Sequence, residues 1–243
     1  ATTEIYTLSL HDAFRSSIGF LMMNELKYLR NNLDYKNLTI IIGGAKISSK
    51  LKMIKYFIDS CDNIIIGGAM VFTLFKSLNK EVGHSLIEDD MLDESKEIIN
   101  SINCSKTNLL LPEDIVCKNQ KTKKITLKNI NDISKDEAGL DIGPETLVKY
   151  SDSIKSSDCI IWNGPMGKFE DLSFAVGTHT LSELIANCGD NTTTIIGGGD
   201  TVSAIEMTQS LDSFTHVSTG GGASLKLLSG ENLDFETSWE KYD

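Results

Sequence analysis

The sequence predicts a three-layer α/β fold: a mostly parallel sheet of about six strands with helices on both faces, of the Rossmann-like kind. Two observations carry this. A short apolar run meets a glycine cluster four times, in "TIIIGGAK" at Thr39–Lys46, "NIIIGGAM" at Asn63–Met70, "TTIIGGGDTV" at Thr193–Val202 and "HVSTGGGA" at His216–Ala223. Between these runs lie stretches with helical spacing of apolar residues, so strand and helix alternate along most of the chain.

The elements follow in order. "LTIII" at 38–42 is short, β-branched and continuously apolar, as suits a strand buried on both faces. After it, "KISSKLKMIKYFID" places Ile47, Leu51, Ile54 and Ile58 at helical intervals. "NIII" at 63–66 is the next strand and "AMVFTLFKSL" the next helix. "EDDMLDESKEIINSI" reads as a helix that begins with acidic residues, which favour the positive end of the dipole. "NLLLP", "DIVC" and "KKITLKN" read as strands. "GPETLVKYSDSIKSS" opens a helix at Pro144, a residue suited to the first turn. "CIIW" is a strand, "SFAVGTHTLSELIANC" a helix, "TTTII" a strand, "DTVSAIEMTQSL" a helix, "FTHVS" a strand and "GASLKLLSG" a final helix. Upstream, "IGFLMMNELKYLRNNL" at 18–33 predicts a long helix; residues 1–17 are an unplaced remnant or linker, and 18–243 form one domain.

A chain of 243 residues can bury a substantial core. The net charge of −11 leaves no basic stripe for nucleic acid or an acidic membrane. The local exception is "KNQKTKK" at 118–124, read as a solvated loop or hairpin tip. The five cysteines are odd in number, widely spaced and without CxxC, which argues against a disulfide framework or zinc site and for a reducing, cytoplasmic setting. No signal peptide and no apolar run of membrane-spanning length is read.

In a parallel sheet, ligands bind outside the carboxyl ends of the strands, which is where all four glycine clusters fall. Glycine lets main-chain N–H groups approach a ligand, and helix N-termini add unpaired donors and positive charge. One such cluster is explained by a tight turn; four on one edge point to an anion, above all a phosphate. Lys46 and Lys50, four apart, put two cations at one helix start, either as an anion site or as a solvated pair. Asp200 reads either as a carboxylate that holds Mg²⁺ against phosphate or as a helix N-cap; Thr201 beside it offers a hydroxyl. "GGAKISSK" is not a P-loop. "GGGDTV" and "GGGASL" have Val202 and Leu225 where a dinucleotide fingerprint needs its third glycine.

These residues, with "GFLMMNEL", "GLDIGPET", "IIWNGPMGKFE" and "FAVGT", occur in an order that resembles the C-terminal, nucleotide-binding half of phosphoglycerate kinase, over roughly 18–230. The resemblance implies reversible phosphoryl transfer between 1,3-bisphosphoglycerate and ADP, with Mg²⁺, giving 3-phosphoglycerate and ATP in glycolysis. It implies that Lys50 holds the nucleotide phosphates and Lys46 the group in transfer. Asp200 then holds the metal, with Gly199 and Thr201 beside the phosphates, and Gly220, Gly221 and Gly222 face the phosphoryl in flight. Asn163 contacts phosphate, Glu170 the ribose, and Gly43, Gly67, Gly68 and Leu140 form the adenine slot. His179 and His216 are expected to be structural. Lys168 departs from the family's small apolar residue near the base, and "NLDFETSWEKYD" from its usual tail. The family's N-terminal domain, with its basic patch for the acid substrate, is not matched; Arg15 in "HDAFRSS" stands as its one remnant. The expectation is a monomer that binds nucleotide and acts on 3-phosphoglycerate only with an N-terminal domain. The alternative is a nucleotide-binding module without turnover.

Overall fold

The computed structural model describes Tyr28 and residues 35–189, 191–218 and 220–231. Arg15 and, Tyr28 apart, the helix expected over 18–33 lie outside these residues. Nine strands are described: β1 (Leu38–Ile42), β2 (Asn63–Ile66), β3 (Asn108–Leu110), β4 (Asp114–Asn119), β5 (Ile125–Asn129), β6 (Glu137–Ile142), β7 (Cys159–Asn163), β8 (Thr193–Gly197) and β9 (His216–Val217). The described α-helices are α1 (Leu51–Phe57), α2 (Met70–Ser77), α3 (Leu92–Asn103), α4 (Pro144–Lys155), α5 (Val176–Ala186), α6 (Gly199–Glu206) and α7 (Gly222–Leu228).

Six strands form one sheet in the order β3-β2-β1-β7-β8-β9, and every neighbouring pair is parallel. The alternation of side chains along each strand divides the core in two. Ile40, Ile42, Ile64 and Ile66 pack with residues of α1, α2, α3 and α7 on one face. Ile41, Ile65, Ile160, Trp162 and Ile196 pack with residues of α4, α5 and α6 on the other. This is the three-layer arrangement predicted, and it explains why the strands read as continuous apolar runs: both faces are covered.

A second sheet, β5-β4-β6, is antiparallel and was not anticipated. β4 and β5 are joined by the lysine-rich tip at 120–124, and so short a connection can only join antiparallel strands. β6 escapes a reading from propensity because its sequence, "EAGLDI", is rich in residues that strands disfavour. It is nonetheless buried along most of its length, with Glu137 and Asp141 both inside.

Strand β4 also completes the start of α4. The N-cap position, Gly143, has no side chain to offer, and Pro144 stands at the first turn as predicted. The buried carboxylate of Asp114 serves instead, accepting from the N–H groups of Glu145 (3.1 Å) and Thr146 (2.8 Å) and from the Thr146 hydroxyl (2.6 Å). Asp114→Ala is therefore expected to cost about 2–3 kcal/mol, the range for a buried charge-assisted network left open, as read by urea denaturation. A loss below about 0.5 kcal/mol would show that the helix start is held by packing alone.

Candidate functional site

The strand ends do more than turn. The Gly43 N–H donates to Asn163 O (3.0 Å), the Gly44 N–H to Pro165 O (2.9 Å) and the Gly68 N–H to Met166 O (3.0 Å). The ends of β1 and β2 are thus laced to the segment that follows β7. Such closeness requires glycine: a Cβ on Gly43 would strike the Gly164 and Pro165 carbonyls, one on Gly67 the Met166 sulfur, and one on Gly68 the Gly44 main chain.

Beside this weave lies a cleft of about 420 Å³. It is lined by Gly44, Ala45, Gly68, Ala69 and Phe72, and by Ile115 of β4 with Ala138–Ile142 of β6. The segment 165–170 and Asp200 complete the lining. The antiparallel sheet thus forms a wall of the site. A mainly apolar slot with a few polar groups on its rim is what a small organic ligand needs.

Of the four residues expected in the adenine slot, Gly68 and the half-buried Leu140 line the cleft. Gly43 and Gly67 do not; both are buried, Gly43 against the Gly164 and Pro165 carbonyls and Gly67 against the Met166 side chain. Glu170 and Lys168 are exposed on the rim, and the Lys168 N–H donates to Leu140 O (2.8 Å), which ties the rim to β6. Asp141, Phe72, Met166, His84 and Gln120 also line the cleft and were not singled out from sequence. The one signal for Asp141 was its place within "GLDIGPET".

Asp200, in the cleft lining, also acts on Lys50, which lies outside that lining. The half-buried Lys50 ammonium donates to the side-chain oxygen of Asn163, which is itself buried at the end of β7. Burial lowers the Lys50 pKa from the ordinary lysine value, and the negative charge of Asp200 partly opposes this. Lys46 is exposed and does not share a helix face with Lys50, because α1 begins only at Leu51. The reason lies in the loop: Ile47 is drawn into the core, and Glu88 accepts from the Ser48 N–H (3.1 Å) and hydroxyl (2.6 Å), holding 46–50 out of helical geometry.

Asp200 is not the N-cap of α6. That position is Gly198, and Asp200 sits in the first turn with an exposed carboxylate that takes no hydrogen bond among the described residues. Thr201 is fully buried, and its hydroxyl oxygen accepts from the Gly164 N–H (2.7 Å). The Thr201 side chain thus serves the segment after β7 rather than facing outward. Gly199, Gly221 and Gly222 are exposed with open space where a Cβ would stand, so their main chain is accessible. Gly220 is exposed too, but a Cβ there would strike the Ser224 hydroxyl, which pairs with that of Ser218 inside the turn. His216 stacks on Tyr28, ring centroids 4.6 Å apart.

Among the described residues, no three His, Cys, Asp or Glu side chains gather as a self-sufficient metal site. A lone free carboxylate beside a cation fits Mg²⁺ brought with phosphate, since that ion commonly keeps one or two carboxylates and takes its other ligands from phosphate and water. No helix among the described residues is long and apolar enough to cross a membrane.

The fold and cleft define a class: a three-layer α/β domain with a glycine-lined ligand site at the carboxyl edge of a parallel sheet. Comparison with known proteins narrows it. The phosphoglycerate kinase family matches residues 4–231. Phosphoglycerate kinases of Prochlorococcus marinus strain MIT 9515 and Nostoc punctiforme are 42% and 41% identical over 224 and 226 residues, each covering 90% of this chain and 56% of the relative. The solved phosphoglycerate kinase of Coxiella burnetii superposes with a TM-score of 0.81 at 32% identity, over 87% of this chain and 56% of that one. That of Pyrococcus horikoshii, with a TM-score of 0.75 at 24% identity over 92% and 58%, shares the fold. The chain belongs to the phosphoglycerate kinase family, and it spans about half the length of the relatives it matches.

The coupling of Lys50 to Asp200 is testable without ligand. Asp200→Asn removes the charge that supports the ammonium, so the Lys50 titration midpoint should move to lower pH, followed by NMR of its 13Cε resonance. An unchanged midpoint would show that Asp200 lies outside the Lys50 field.

Proposed function

We propose that this chain supplies the nucleotide half of a phosphoglycerate kinase, binding Mg-ADP or Mg-ATP for reversible phosphoryl transfer between 1,3-bisphosphoglycerate and ADP. The observation that carries this reading is an apolar slot whose lining includes Asp200, the carboxylate that acts on Lys50, whose ammonium in turn bonds Asn163. Membership of the family supports the choice of reaction, and the cluster supports the choice of site.

In this reading the adenine enters between Gly68–Ala69 and Leu140, with Glu170 on the rim near the ribose. Lys50 and Asn163 meet the phosphates, and Asp200 holds Mg²⁺, which offsets phosphate charge when bound. Lys46, exposed on its loop, reaches for the transferred group. The open main chain at Gly199 and at Gly221–Gly222 adds N–H donors where charge builds up. In the forward direction the bond between phosphorus and the acyl oxygen breaks, and a β-phosphate oxygen of ADP forms the new one. Little covalent work falls to the protein; positioning and charge neutralisation supply the rate.

The net charge of −11 gives this chain no attraction for a doubly anionic acid. Residues 1–243 alone should therefore bind Mg-ADP yet turn over acid substrate negligibly, and a recombinant N-terminal family domain should bring activity, followed as ATP formation. Full turnover by the chain alone would refute this division of labour, and binding with no activity in the mixture would favour a module without turnover. Lys50→Ala should weaken Mg-ADP by about 1–3 kcal/mol, the worth of a charge-assisted hydrogen bond. Unchanged affinity in calorimetry would remove Lys50 from the phosphate site. Asp200→Ala should abolish the Mg²⁺ dependence of binding with the fold intact; lower thermal stability with the metal dependence unaltered would leave Asp200 a dipole-complementing residue only.

A further inference from the structure

Asp141 is a buried acid in the wall of the cleft, 3% exposed, and no role assigned above uses it. Both its oxygens go to main-chain donors: Oδ2 accepts from the Gly177 N–H (2.7 Å) and Oδ1 from the Ile142 N–H (2.9 Å). Gly177 opens α5, and the next residue, Thr178, is also buried. The Thr178 hydroxyl oxygen accepts from the Met166 N–H (3.0 Å) and the Gly167 N–H (3.3 Å), both in the segment that closes the cleft. The first turn of α5 is therefore a junction, gripped by Asp141 on one side and gripping the cleft wall on the other. The packing at this junction leaves no slack: a Cβ on either Gly167 or Gly177 would strike the Asp141 carboxyl.

We propose that Asp141 is a positioning residue of the nucleotide site, that its carboxyl group fixes the 166–170 wall through the first turn of α5, and that occupation of the cleft is coupled to protonation of this carboxyl. The inference rests on the nucleotide reading above. Ionisable groups on the elements packed around Asp141 are Asp114, Cys117 and Lys118 of β4, Lys168, Glu170 and Asp171 of the wall segment, and His179 and Glu183 of α5. Among the described residues, none of them pairs with it; Lys118, for one, lies over the Phe174 ring. Burial without a cation raises the Asp141 carboxyl to about 7, against which its two main-chain hydrogen bonds act. A ligand that covers the wall removes what water remains and brings negative phosphate nearer, both of which favour the neutral acid. Binding then takes up a proton, and by linkage affinity falls as pH rises through neutrality.

The test is calorimetry of Mg-ADP binding between pH 6 and 9 with the wild type, Asp141→Asn and His84→Gln. The last removes the imidazole that also lines the cleft. The ligand's own titration is common to all three proteins and cancels. Wild-type affinity should fall about tenfold across the range, the limit when occupation raises the acid by one pH unit. Asp141→Asn should flatten that fall, and His84→Gln should keep it. Wild type and His84→Gln should also take up protons at pH 7, measured in two buffers of different ionisation enthalpy. This second measurement decides the matter if Asp141→Asn does not fold. An equal pH dependence in Asp141→Asn, absence of proton uptake in the wild type, or loss of uptake in His84→Gln would overturn the proposal. Binding that is independent of pH would sink this inference alone, whereas no binding at any pH would sink the nucleotide reading and the inference with it.

Discussion

The site depends on how closely the ends of β1, β2 and β7 approach one another. Main-chain hydrogen bonds from Gly43, Gly44 and Gly68 to Asn163, Pro165 and Met166 leave no room for side chains between them. That approach brings Asn163 within reach of Lys50 and folds the 165–170 segment into a wall of the cleft. A single methyl at Gly43 would have to displace backbone, not a yielding side chain. The Lys50–Asn163 contact and the apolar slot are therefore consequences of one packing event.

Around this weave, buried acids replace local caps. Asp114 closes the start of α4 from a neighbouring strand, and Asp141 closes the start of α5 in the same way. Both reach across from the antiparallel sheet to helices that cover the parallel one. A carboxylate at a helix N-terminus meets unpaired donors and the positive end of the dipole, which makes its burial tolerable. The small sheet is thus bonded to the main body by charge-assisted hydrogen bonds as well as by packing, and it keeps the far wall of the cleft in place.

The glycine clusters divide by what surrounds them. At Gly43 the missing side chain admits another stretch of backbone and at Gly67 the Met166 side chain; at Gly199, Gly221 and Gly222 it leaves the main chain open to solvent. Gly68 stands between the two kinds: it is packed against the Gly44 main chain and yet lines the cleft. Lys46 and Lys50 divide likewise: one stays exposed on a loop, and the other is drawn into a half-buried hydrogen bond.

The sequence by itself determined the six-stranded parallel sheet, the placing of its helices and the edge at which a ligand would bind. Each of these follows from local chemistry: β-branched runs such as 38–42 and 192–196, helical spacing after them, and glycine at the junctions. It also brought Lys50 and Asp200 into view, through their places beside glycine clusters, and Asn163 through motif order. What lay beyond it was whatever rests on contacts between distant segments. That Gly43 and Gly67 pack while Gly68 lines the cleft depends on where Pro165 and Met166 come to lie, over 90 residues away in sequence. That "EAGLDI" is a strand, and that Asp141 grips α5, depends on burial by Phe72, Ile115 and Gly177, which override its poor propensity. Tertiary structure decided these points because a side chain's partner, unlike its periodicity, is set by the fold as a whole.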